Sequence, residues 1–203
     1  MKLPTILILL LALSGLAMSQ QTISSCSGLQ EVETDMEASY ELGKDIDCSG
    51  FEFEPIGHAT ETSEIQHFTG VLDGAGYEVI NLNIEEPSKD NVALFSSTKD
   101  GAVIKDLGLK NANIEGETNV GGFVGRHGEI MTDESKIERV YFDGNINSKG
   151  SSIGAITGFN FLGTIEESYS KGAIVGKNTV GGISGTNFGE SQIEDSYSIA
   201  ELS

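Results

Sequence analysis

Thirty-one acidic side chains against twelve basic ones put carboxylate chemistry first among what this 203-residue chain could do. Two carboxylates at a defined separation hydrolyse glycosidic bonds, and acids that hold calcium beside a basic residue support elimination. Glu138, Glu166 and Glu194 fall at one repeat position, and Arg139, Glu167 and Asp195 at the next. In so acidic a chain these columns read as a solvated face, so no catalytic residue is assigned. His58, His67 and His127 share neither a repeat position nor a metal-ligand spacing, and read as scattered surface histidines. No Ser/His/Asp arrangement can be assembled. Asp73-Gly74, Asp100-Gly101 and Asp143-Gly144 are turns where carboxylates and carbonyls could meet calcium. None follows an EF-hand or nonapeptide pattern, and Asp-Gly is also ordinary turn chemistry.

An aromatic column offers a binding surface instead. Tyr141, Tyr169 and Tyr197 share a repeat position, which stacks them about 4.8 Å apart. Leu107/Leu109 and Val140/Phe142 flank that position and point inward. Alternation then turns the tyrosines outward, as a strip for sugar rings or a partner protein. The same alternation puts Ser168/Ser170 and Ser196/Ser198 in the core. If the later coils flip parity, the tyrosines are core filler, and the balance leans to that side.

Two recurring segment types dominate the sequence. Isoleucine opens one, at Ile104, Ile137, Ile165 and Ile193, 33, 28 and 28 residues apart. The other is glycine-rich: Val120 to Gly125, Ile153 to Gly158 and Val180 to Gly185, starting 33 and 27 residues apart. Val92-Ala93-Leu94-Phe95 is a glycine-poor earlier copy. Both series keep step, so the unit is one element of about 28 residues. Each unit holds three short alternating stretches separated by Gly, Asn, Asp and Lys. Helical periodicity is absent, and so many glycines would each cost a helix about 1 kcal/mol. The fold class is therefore all-β, a right-handed parallel β-helix (solenoid) with three strands per coil, stable through stacking. The glycine columns are expected to supply positive φ at corners and close approach between coils. They lack the Lys-Ser/Thr of a phosphate-binding loop, and no cofactor-binding motif is present.

The stretches "VGGFVG" and "VGGISG" resemble the GLUG motif of secreted and surface-bound microbial proteins. The run Phe68 to Tyr77, followed by Val79 to Ile84, is similar to the lead-in that often precedes those motifs, as is Tyr40 to Gly57. This resemblance spans roughly Gln20 to Ser203 and implies a pectin-lyase-like β-helix. It implies no catalytic residues, since such repeats occur as stalks and adhesive modules and beside peptidase domains.

Residues 1–19 read as a signal peptide: Lys2, an apolar run Leu3 to Leu16, and small residues before Gln20. The run is too short for a membrane span. Residues 20–52 read as an N-terminal cap with the first strands, and 53–203 as repeats. Cys26 and Cys48, the two cysteines, are expected to form a disulfide in an oxidising compartment. Leu29, Val32 and Met36 between them are spaced for one face of a short capping helix. The net charge of −19 excludes a phosphate-binding basic face, and with it nucleic acid. The last coil lacks a glycine segment and a cap, which reads as end-to-end association or as a C-terminally incomplete chain. The expected function is an extracellular, non-catalytic repeat module for adhesion, surface structure or binding of a glycan or protein. A polysaccharide-acting lyase or hydrolase is the alternative.

Overall fold

The computed structural model describes residues 20–59, 64–128 and 134–203; the proposed signal peptide lies outside them. Every strand pairing among these residues is parallel, and successive coils stack as a β-helix with three faces. The first face carries seven strands: Gln21–Ile23, Ser39–Leu42, Val71–Asp73, Val103–Lys105, Lys136–Glu138, Thr164–Glu166 and Gln192–Glu194. The second is built on Gly108–Gly116, Tyr141–Ser148 and Tyr169–Val175, with shorter strands at both ends. The third holds Phe95–Thr98, Val124–His127, Thr157–Phe161 and Ser184–Phe188.

The isoleucines that define the repeat are vertical neighbours: Ile104 pairs with Ile137, Ile137 with Ile165, and Ile165 with Ile193. On the second face Ile84, Ile114, Ile146, Ile174 and Leu202 form a parallel ladder. β-Branched side chains suit this role because one restricted rotamer repeats without clash along a pleated stack. Burial is complete along both ladders until the last coil, where Ile193 and Leu202 are exposed on one side.

The chain turns where the sequence gives little warning. Asp106, Arg139, Glu167 and Asp195 all adopt left-handed backbone, with φ between 45° and 52°. They form the corner between the first and second faces. Asn91, Asn119, Ser152 and Thr179 repeat the device at the entry to the third. Positive φ therefore does not fall on the glycine columns, as the repeat pattern suggested. Gly121, Gly154 and Gly181 do lie in column, as do Gly125, Gly158 and Gly185, but their task is close approach alone. A Cβ on Gly154 would sit 2.5 Å from the Thr157 carbonyl oxygen, and one on Gly125 2.5 Å from the Asn91 carbonyl carbon. Each glycine segment is also split across a corner. Asn178–Gly181 pairs with Ser151–Gly154 as a short separate sheet before Ser184–Phe188 begins.

Cys26 and Cys48 are bonded, with Cα atoms 5.2 Å apart. The bridge pins a helical turn, Cys26–Gln30 followed by Glu31–Thr34, whose Ser25 side chain accepts from the Gly28 amide as N-cap. Leu29, Val32 and Met36 are buried under it, so this turn closes the first coil. The strands at 21–23, 39–42 and 46–47 pair directly into the first and second faces, so cap and repeats share one continuous core.

Candidate functional site

The carboxylate column exists as geometry, but two of its three members, Glu138 and Glu166, are paired with cations. Glu138, Glu166 and Glu194 are in register on the first face. Lys136 reaches Glu138 at 2.8 Å and Glu166 at 2.5 Å. Arg139 holds Glu138 at 2.7 Å and takes Asp106 with two donors, at 2.7 and 3.0 Å. The Arg139 guanidinium beside Glu138, reinforced by Lys136, lowers that carboxyl to a pKa of about 2. A general acid in glycoside hydrolysis needs the opposite shift, so Glu138 is unsuited to it.

The same shift makes a pH prediction. Glu138 titrates lower in the folded chain than its ordinary value of 4.5, so its ion pairs stabilise fully above that value. That contribution is lost as pH falls from about 4.5 toward 2. Because Arg139 is well exposed, it amounts to about 1 kcal/mol. Urea midpoints measured across this window should drop for the native chain. An Arg139→Gln variant should begin lower and respond less steeply.

The histidines depart from their surface reading. His127 is fully buried, and its Nδ1 lies 2.7 Å from Thr98 Oγ1 inside the third face. His67 lies 2.9 Å from the Ser97 hydroxyl. Burial, then Lys89, holds His58 below the usual histidine range. The Asp-Gly turns are also engaged: Asp73 pairs with Lys105 at 2.8 Å and Asp143 with Lys171 at 2.9 Å. Asp100 lies 4.0 Å from Lys99. Among the described residues no three acidic, histidine or cysteine side chains converge on a metal-sized point.

The tyrosine column faces outward, which corrects the lean toward core filling. Tyr141 pairs with Tyr169 and Tyr169 with Tyr197. Ring centroids are 5.1 and 5.4 Å apart, with planes within 7° and 9°. Tyr141 and Tyr169 are half-buried, and Tyr197 is 59% exposed. Parity is preserved because the serines are tolerated inside. Ser168 donates to the Glu166 carbonyl at 2.7 Å, and Ser170 to the Gly182 carbonyl at 2.6 Å. A buried hydroxyl with a partner avoids the penalty an orphan would carry. Space is shared too: a Cβ on Gly122 would strike the Phe142 ring, and one on Gly182 would strike Ser198. The Tyr141 hydroxyl donates to Glu78; burial, then that contact, raises the phenol above its ordinary value.

A second aromatic cluster lies on the third face, beyond the residues that define the repeat. Phe161 and Phe188 stack with centroids 5.7 Å apart and planes within 11°; Phe159 sits 6.4 and 6.5 Å from them. Arg126, in register with Phe159, places its guanidinium carbon 6.0 Å from that ring. These four residues, with Asn119 and Ser151, line an open groove of about 440 Å³. The available signal was Phe159-x-Phe161, an alternating aromatic pair answered by Phe188 one coil later. It falls just beyond the glycine segment, outside the two recurring segment types.

No family model matches the chain. It is similar to halomucin of Haloquadratum walsbyi, at 31% identity over 185 residues covering 85% of this chain. Those residues span about 2% of halomucin's length. Among solved structures, the chain is similar to a Bacteroides ovatus protein assigned as an immunoglobulin A1 protease. That match has 15% identity and a TM-score of 0.48, over 90% of this chain and 77% of the other.

Proposed function

We propose that this chain is an extracellular, non-catalytic repeat module that builds surface structure and carries a partner-binding strip. The observation that carries this reading is the outward tyrosine stack. Three nearly parallel rings, stacked one over the next in three successive coils, form an aromatic ladder that the coil pairings hold in register. The outer edges and hydroxyls of this ladder, with the exposed Tyr197 ring, offer contacts for a sugar or the apolar edge of a partner protein. The GLUG-like segments Val120 to Gly125 and Val180 to Gly185 support a surface setting, and so does the likeness to halomucin. The engaged carboxylates weigh against turnover of a polysaccharide.

The acidic exterior suits an extended molecule that must stay hydrated and apart from its neighbours.

The test is a glycan and surface-protein array probed with and without calcium, using the native chain and Tyr197→Ala. Tyr197 is exposed, so the variant should keep the β-rich dichroism of the native chain. Its binding should fall roughly tenfold, since one exposed aromatic anchor contributes about 1.4 kcal/mol. Nitration of Tyr197 by tetranitromethane should compete with the captured partner. Array binding that survives Tyr197→Ala unchanged would remove the strip from the proposal.

A further inference from the structure

The third face presents a site of different character from the tyrosine strip, and Arg126 is its anomaly. The cations on the first two faces are committed: Lys105 to Asp73, Lys110 to Glu78, Lys136 to Glu138, Arg139 to Asp106, and Lys171 to Asp143. Arg126 has no such carboxylate partner among the described residues, in a chain of net charge −19. Its Nε is buried and has no hydrogen-bond acceptor among the described residues. The rest of the side chain lines an open groove, where its terminal nitrogens can meet an acceptor from outside.

The surroundings specify that acceptor. Among the described residues no acidic side chain lines the groove; its wall is Phe159, Phe161, Phe188, Asn119 and hydroxyl side chains. Phe161 stacks on Phe188, and Phe188, 59% exposed, presents apolar ring surface at the mouth. A guanidinium beside such a platform matches a ligand with a carboxylate on a ring whose other face is C–H rich. We infer that the groove of Arg126, Phe159, Phe161 and Phe188 binds a carboxylated sugar unit, of the uronate class, within a glycan chain. The carboxylate meets the Arg126 fork, the sugar's C–H face lies on the phenyl rings, and ring hydroxyls reach Asn119 and Ser151. A volume of about 440 Å³ admits one or two sugar units. General repulsion from the acidic chain is confined by screening to about 8 Å at physiological salt, and the described residues of the groove wall add none.

The experiment is calorimetric titration of the full chain with an oligogalacturonate, its methyl ester and a neutral oligoglucoside. The oligogalacturonate should bind at least about tenfold more tightly than the ester or the neutral sugar, and more weakly as salt rises. Arg126→Gln should abolish that preference. Phe188→Ala, at an exposed position, should weaken all binding in the groove, while Tyr197→Ala should leave it unchanged. That last comparison separates this site from the tyrosine strip, so either can fail alone. Equal affinity for acid and ester, binding untouched by Phe188→Ala, or no binding of the oligogalacturonate at millimolar concentration would overturn the assignment.

Discussion

Replacing Gly158 with alanine is expected to lower the stability of the stack by about 3 kcal/mol or more. The added methyl would lie 2.5 Å from the Val120 amide nitrogen and 2.7 Å from the Asn119 Cα, both backbone atoms of the preceding coil. Those coils are tied at that point by hydrogen bonds from Asn119 and Val120 to the Ser151 and Ser152 carbonyls, at 3.0 and 3.1 Å. Nothing there can yield as a flexible side chain would, so the coils must part or the ladder must break. Gly50 supplies the comparison. Its φ is +72° and no atom lies within 4 Å of where a Cβ would stand. Gly50→Ala should cost only the left-handed strain, about 1 kcal/mol. Urea midpoints of the two variants measure the difference, and equal losses would show that contact between coils is not what selects glycine in the column.

Removing the disulfide, as Cys26→Ser with Cys48→Ser, should cost about 3 kcal/mol. The loss should be local. The bridge fixes the turn that covers Leu29, Val32 and the first coil, and a solenoid transmits such damage chiefly to its neighbours. Hydrogen exchange should accelerate for amides between Ile23 and Cys48, while those of Ile137 and Ile165 keep their protection. Uniform acceleration along the chain would instead mean that the cap and the repeats unfold as one cooperative unit.

The ladder of Ile104, Ile137, Ile165 and Ile193 was legible because one residue type recurs at one interval and nothing local competes with it. The disulfide and its helical turn were legible because two cysteines permit one pairing and Leu29, Val32 and Met36 carry helical spacing. Corners were harder. Arg139 and Glu167 take left-handed backbone that their residue types do not advertise, since stacking on Asp106 and Asp195 imposes it. The tyrosine parity turned on whether serines could occupy the interior. That depended on partners such as the Gly182 carbonyl, twelve residues from Ser170, which no local pattern discloses. His127 likewise reads as a surface residue until Thr98 from the preceding coil is seen beside its Nδ1. The Phe159, Phe161 and Phe188 cluster assembles residues from two coils with Arg126 from a third, so only the register between coils reveals it.

Because each coil touches only the coils on either side, the in-register pairing makes length an independent variable. Copying one segment of about 28 residues would lengthen the rod by about 4.8 Å without altering any existing contact type. Copy number therefore acts as a ruler, and genetic duplication can adjust how far the molecule reaches without redesigning a single interior position.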